Sequence, residues 1–132
     1  MNNPLNPVLD TLSRPMAITG RVLLGLYFVV PGVLKVTGFA GTLGYMQLHG
    51  VPFAVPLLFV TIALQVGGGL AIIFDRQTRA AAFLLAGLTL LINLFMHDFW
   101  NDYPGGNPQH ELQNFIKNLG IFAGLLLLAA RR

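Results

Sequence analysis

Cysteine is absent from this chain, and charge is scarce: only 10% of its 132 residues are Asp, Glu, Lys or Arg. The missing thiols exclude disulfides, dithiol redox chemistry, thiolate zinc sites, thiolate-ligated iron–sulfur clusters and c-type haem attachment. The missing charge excludes a water-soluble globule, which usually carries about 25% charged residues. Glycine-rich phosphate loops, nucleophile elbows and metal-hydrolase motifs are also lacking. The three histidines, His49 in one loop and His97 and His110 in another, lack close ligand spacing, so no metal site is expected. A net charge of +3 and a pI near 9.8 would suit nucleic acid, but the eight basic residues form no stripe. No nucleic-acid partner is expected. The first charge is Asp10, and no basic segment followed by an apolar run marks a cleavable signal.

What the chain has instead is apolar bulk. Hydrophobic residues make up 55% of it and the mean hydropathy is +0.67. A spanning helix needs ~20 apolar residues, so four would take roughly 80 positions and leave enough polar chain to join them. The predicted helices run over about 18–36, 52–74, 80–96 and 114–130. Residues 1–15, with Pro4, Pro7 and Pro15, read as a polar tail or interfacial segment ahead of a membrane domain over 16–132. Residues 37–51 hold four glycines and read as a loop, with room for a short interfacial helix. The turn signal Pro104-Gly105-Gly106-Asn107-Pro108 centres the loop 97–113. The expected fold is an all-α, integral membrane four-helix bundle.

Basic residues set its orientation. Arg14, Arg21, Arg76, Arg79, Arg131 and Arg132 fall on one side of that scheme, and only Lys35 and Lys117 on the other. Cytoplasmic loops carry the Lys/Arg excess, so both termini are expected in the cytoplasm and loops 37–51 and 97–113 outside. The histidines and the acids Asp98, Asp102 and Glu111 then share the outer face.

Several residues there are suited to chemistry. His97 lies about 27 Å from Arg79 at 1.5 Å per residue, at the opposite edge of the hydrocarbon. That is the level of Lys35 and Lys117. The three could form a rim that holds electronegative oxygens and relays protons, or the lysines could simply snorkel to the headgroups. Trp100, Phe99 and Tyr103 suit an interfacial aromatic belt, and Trp100 also suits the wall of a pocket. Gln65 and Asn93 sit at hydrocarbon depth, where amides either bond across helices or line a ligand or proton path. The Gly67-Gly68-Gly69 run and the Gly120–Gly124 pair predict close helix packing, within the chain or in a homo-oligomer.

The chain resembles the DoxX family of small bacterial membrane proteins. The resemblance rests on Gly25-Leu26-Tyr27-Phe28, Gly32-Val33-Leu34-Lys35, Phe39-Ala40-Gly41-Thr42, Tyr45-Met46 and Gly50-Val51-Pro52. It continues through Gly68-Gly69-Leu70, Thr78-Arg79, Ala81-Ala82, His97-Asp98-Phe99-Trp100, Phe115-Ile116-Lys117-Asn118-Leu119 and Gly124-Leu125-Leu126-Leu127. Two positions depart from the pattern: Gln65 stands where many members have glutamate, and Asp75 where glycine is common. The resemblance implies a four-helix protein of the bacterial inner membrane. It also points to small subunits of a sulfur-oxidising, quinone-reducing enzyme and to oxidative-stress complexes.

The expected function is therefore that of a membrane subunit of a redox system. It would bind a quinone-like or other amphipathic ligand near the outer face, next to a redox partner protein. The ligand site would use Lys35, His97, Trp100, Lys117 and Asn118 at the rim, with Gln65 and Asn93 deeper. With no metal-based electron centre of its own, the chain is expected to depend on that partner. The alternative is a non-enzymatic membrane scaffold or a small-solute transport protein, in which these residues lock helices or line a passage.

Overall fold

The computed structural model describes residues 3–132, and every regular element among them is helical. The order is α1 (Asn6–Thr37), α2 (Phe39–Leu48), α3 (Ala54–Ile73), α4 (Thr78–Met96) and α5 (Pro108–Ala130). Helices α1, α3, α4 and α5 are long and apolar enough to cross a membrane. The twenty residues of α3 span about 30 Å, the thickness of the hydrocarbon. This is the expected all-α, four-span fold.

Three boundaries differ from expectation. The region 1–15 is helical from Asn6 onward, residues 1 and 2 lying outside the described residues. Pro7 falls in the first turn, where a missing N–H costs nothing. Pro15 leaves the Thr11 carbonyl without its helical donor, but this stretch is exposed and the carbonyl can be hydrated. Most of the segment 37–51 is α2, because Phe39, Leu43 and Met46 repeat at helical spacing and pack on Ala54 and Leu58 of α3. Helix α5 starts at Pro108, six residues early. Asn107 caps it by accepting from the His110 N–H at 3.2 Å, Pro108 occupies the first turn and Glu111 faces its positive end.

Glycine brings α1 onto α3. A Cβ on Gly69 would lie 2.7 Å from the Gly25 carbonyl oxygen, and one on Gly25 would lie 2.6 Å from that of Gly69. Gly32 is as tight, 2.8 Å from a Val66 methyl. Gly67, Gly120 and Gly124 have open space beside them, so the expected role of the Gly120–Gly124 pair in packing this bundle is not what the structure has. Helix α4 is the central element, with 33% of its apolar window enclosed, and it packs between α3 and α5. Phe28, Ile72, Leu85 and Leu125 form the main core. No Cα of α1 comes within 8 Å of one in α5, so the ring of helices is not closed by backbone packing on that side.

One end of the bundle is fastened by arginines. The α3–α4 link turns through Asp75 (φ 53°) and Gln77 (φ 52°), both left-handed. Asp75 accepts from Thr78 Oγ1 at 2.6 Å and from Arg131 Nη2 at 2.6 Å, and Arg21 Nη1 stands 3.8 Å away. The Thr78 bond first, and then Arg131, hold the Asp75 carboxyl below its ordinary value. Arg79 Nε donates to the Ala129 carbonyl at 2.8 Å, tying α4 to the end of α5.

Candidate functional site

Toward the other end, all five helices surround a cleft of about 470 Å³. That is within the usual range for a small-molecule site. Its walls are mainly apolar, from Phe28, Pro31, Met46, Leu58, Ile92 and Met96. Lys35, Gln65, His97 and Asn118 face it from α1, α3, the end of α4 and α5. These four expected site residues therefore meet in one place. On the open side between α1 and α5, Tyr27 Oη donates to Asn118 Oδ1 at 2.9 Å across the gap. Pro31 adds a further polar group, since its missing N–H leaves the Tyr27 carbonyl without a helical donor.

Gln65 is 5% exposed, and its Oε1 has no hydrogen-bond partner among the described residues. An unpaired buried carbonyl costs roughly 1–3 kcal/mol. A ligand hydroxyl or a water bound in the cleft would satisfy it, and a carboxylate at this position would instead demand a cation or a proton. The departure from glutamate thus leaves a neutral acceptor.

The remaining expected residues lie elsewhere. Trp100 is 54% exposed and packs edge-on against Phe99 and Phe115, so it does not wall the cleft. Lys117 is exposed on α5, one residue from Asn118 and about 100° around the helix, and is not among the residues that line the cleft. Asn93 is 1% exposed and donates from Nδ2 to the Phe115 carbonyl at 3.0 Å, which binds α4 to α5. It forms no part of the cleft lining.

Two of the histidines join carboxylates. His97 Nδ1 is 2.6 Å from Glu111 Oε2, and Tyr45 Oη donates to Glu111 Oε1 at 2.7 Å. His49 Nδ1 is 2.6 Å from Asp98 Oδ1, with both side chains buried. Asn101 and Tyr103 donate to the other Asp98 oxygen. The His49 ring packs at a tilt against Tyr45 and Tyr103, with centroids 4.3 and 4.2 Å away. Burial pushes the Asp98 carboxyl upward, but the bonds from Asn101, Tyr103 and His49 outweigh it and hold the group below its usual value. Burial and the bond to Glu111 push the Tyr45 phenol well up, so it remains a donor.

Sequence reasoning did not single out Tyr27, Tyr45 or the pairing of Glu111 with His97. For Glu111 a signal existed: Asn107-Pro108 followed by an acid in the next turn marks a helix start. That start returns the carboxylate to the level of His97. Tyr27 and Tyr45 lie in helices whose mutual placement no local pattern encodes.

Comparison with known proteins supplies the context. The DoxX family model matches residues 16–98. The inner membrane protein YqjF of Escherichia coli (strain K12) is 43% identical over 113 residues, covering 85% of this chain and 80% of that protein. The inner membrane protein YphA of the same organism is 30% identical over 118 residues, covering 89% and 84%. No solved structure matches. With four spans and relatives named for that location, the chain is a multi-pass protein of the inner membrane.

Proposed function

This chain belongs to the DoxX family, and we propose that it is a membrane subunit of a redox system that binds a quinone-like amphipathic ligand in the cleft. The observation that carries the reading is the convergence of Lys35, Gln65, His97 and Asn118 on one apolar cleft with no backbone wall between α1 and α5. A flat ring with an oxygen at each edge suits such a lining. Lys35 donates to an electronegative oxygen, Gln65 Oε1 accepts from a hydroxyl, and His97 exchanges a proton at the ring nitrogen that Glu111 leaves free. The apolar walls would take the faces of such a ring, and the side between α1 and α5, without backbone contact, would leave room for an alkyl tail. A bound quinone would supply two-electron chemistry, and a partner protein would deliver or remove the electrons. The arginine-fastened end faces the cytoplasm in this reading, because it carries the basic excess.

The test is extraction of the protein from its native membrane, followed by mass spectrometry of the lipophilic molecules that remain bound. Wild type and Lys117→Met are expected to retain the same quinone-class ligand, and Lys35→Met to lose most of it. A scaffold or solute-transport protein would retain none in any variant. Equal loss in both lysine variants would move the site away from the cleft.

A further inference from the structure

A second chamber lies beside the cleft, and the wall between the two is made of side chains that carry protons. This chamber, of about 330 Å³, is lined by the half-buried Tyr103 and by the exposed loop 104–107. Glu111 lines it, and His97 lines the cleft. The two side chains meet at 2.6 Å. Tyr45 lines both spaces and holds the second Glu111 oxygen. Among the described residues, no other ion pair joins a residue lining the cleft to one lining the chamber. The buried His49–Asp98 pair borders the chamber alone.

We infer that His97 and Glu111 form a proton conduit between the membrane cleft and water on the outer face, with Tyr45 as the positioning residue that aims the carboxylate. The conduit rests on the proposed reading for its purpose and its sidedness. In the outward step a proton from the cleft adds to His97 Nε2, and the Nδ1 proton passes to Glu111 Oε2. Glu111 then releases a proton to water in the chamber. One proton enters and one leaves, no electron moves, and rotation of the imidazole ring resets the pair. The inward step is the reverse. A hydroxyl in the cleft would otherwise have to exchange protons through hydrocarbon.

The other titratable groups around His97 are few. Lys35 and Tyr27 of α1 share the cleft, Tyr45 comes from α2 and Glu111 from α5, while α3 presents only the neutral Gln65. Around the chamber stand the His49–Asp98 pair, Tyr103 and His110.

The experiment is a pH jump on proteoliposomes of uniform orientation with no ligand added. Infrared bands of the His97 ring are assigned by their loss in His97→Asn. Acid added on the face bearing residues 97–107 is expected to protonate His97 promptly, and acid on the arginine face is expected to act only after the lumen equilibrates. Glu111→Gln should slow the prompt response by about a hundredfold, the lower range for a positioned proton-transfer group. Glu111→Asp should restore part of it. An unchanged rate in a folded Glu111→Gln protein overturns the conduit. So does a wild-type response that is equally prompt from both faces, a result that needs no variant to fold. Ligand retention is a separate measurement. Retention of a quinone with an unslowed Glu111→Gln sinks the conduit alone, and an empty cleft with a sided, Glu111-dependent response sinks the ligand reading alone.

Discussion

Three side chains converge on Asp98, which is 4% exposed, and their bonds make its charge a stabilising feature rather than a burden. Because its carboxyl is held below the ordinary value when folded, its contribution is complete above the unfolded aspartate pKa of about 3.9. It is lost as pH falls through the lower folded value. Asp98→Asn is expected to cost about 1–3 kcal/mol at neutral pH, the range for a buried hydrogen-bonded charge that loses its partners. Thermal unfolding in detergent should show that gap closing as the pH is taken below the unfolded aspartate value of about 3.9, in the acid limb set by the direction of the shift. A gap that stays constant down to that limb would mean the asparagine keeps the same bonds.

Among the elements, α1 and α3 are held by a backbone approach that tolerates no side chain. Gly69→Ala is expected to destabilise the protein by about 1–3 kcal/mol through overpacking against the Gly25 carbonyl. Gly124→Ala, in open space on α5, should be neutral or stabilise by up to about 1 kcal/mol, since alanine is the better helix former. Paired thermal melts in the same detergent would check both, and a similar loss in the two variants would mean that α5 is buried in an oligomer. These two glycines also mark how far the sequence could be read. The apolar runs that make α3 and α4 were plain, because length and hydropathy are local properties. Which glycine meets a neighbour is not local: Gly69 and Gly124 sit in similar small-residue settings and only the packing of α1 tells them apart. The start of α5 is marked by its Asn107-Pro108 cap, although the expectation from apolar content put it at about 114; α2 was masked by its glycines and depends on the packing of Met46 and Phe39. At the site, residue types pointed to Lys35, Gln65, His97 and Asn118. They could not separate Lys117 from Asn118, whose adjacent positions on α5 face opposite environments.

At the scale of the molecule, four crossings would return the chain to the side from which it began. The absence of native cysteine makes that easy to examine. Gln77→Cys and Asn107→Cys are expected to label from opposite faces of the membrane, with Asn107 reached from outside by an impermeant maleimide on intact cells or right-side-out vesicles. Labelling of both from one face would contradict the four-span arrangement.

In the proposed reading, the gap between α1 and α5, bridged by Tyr27 and Asn118, would make the bilayer itself the reservoir from which the cleft fills. What then governs occupancy is the mole fraction of ligand dissolved in lipid, not its amount per volume of buffer. Titrations of decylubiquinone into nanodiscs or vesicles at two lipid-to-protein ratios should give apparent affinities that differ in bulk units. They should coincide once each point is divided by the lipid present. Curves that overlie in bulk units without that correction would mean that the cleft is filled from water. A partitioning ligand can occupy such a site with weak contacts, because an alkyl tail of ten carbons adds roughly 8 kcal/mol of transfer into lipid at about 0.8 kcal/mol per methylene. The protein then needs only enough polar recognition to choose among the lipophiles already gathered beside it.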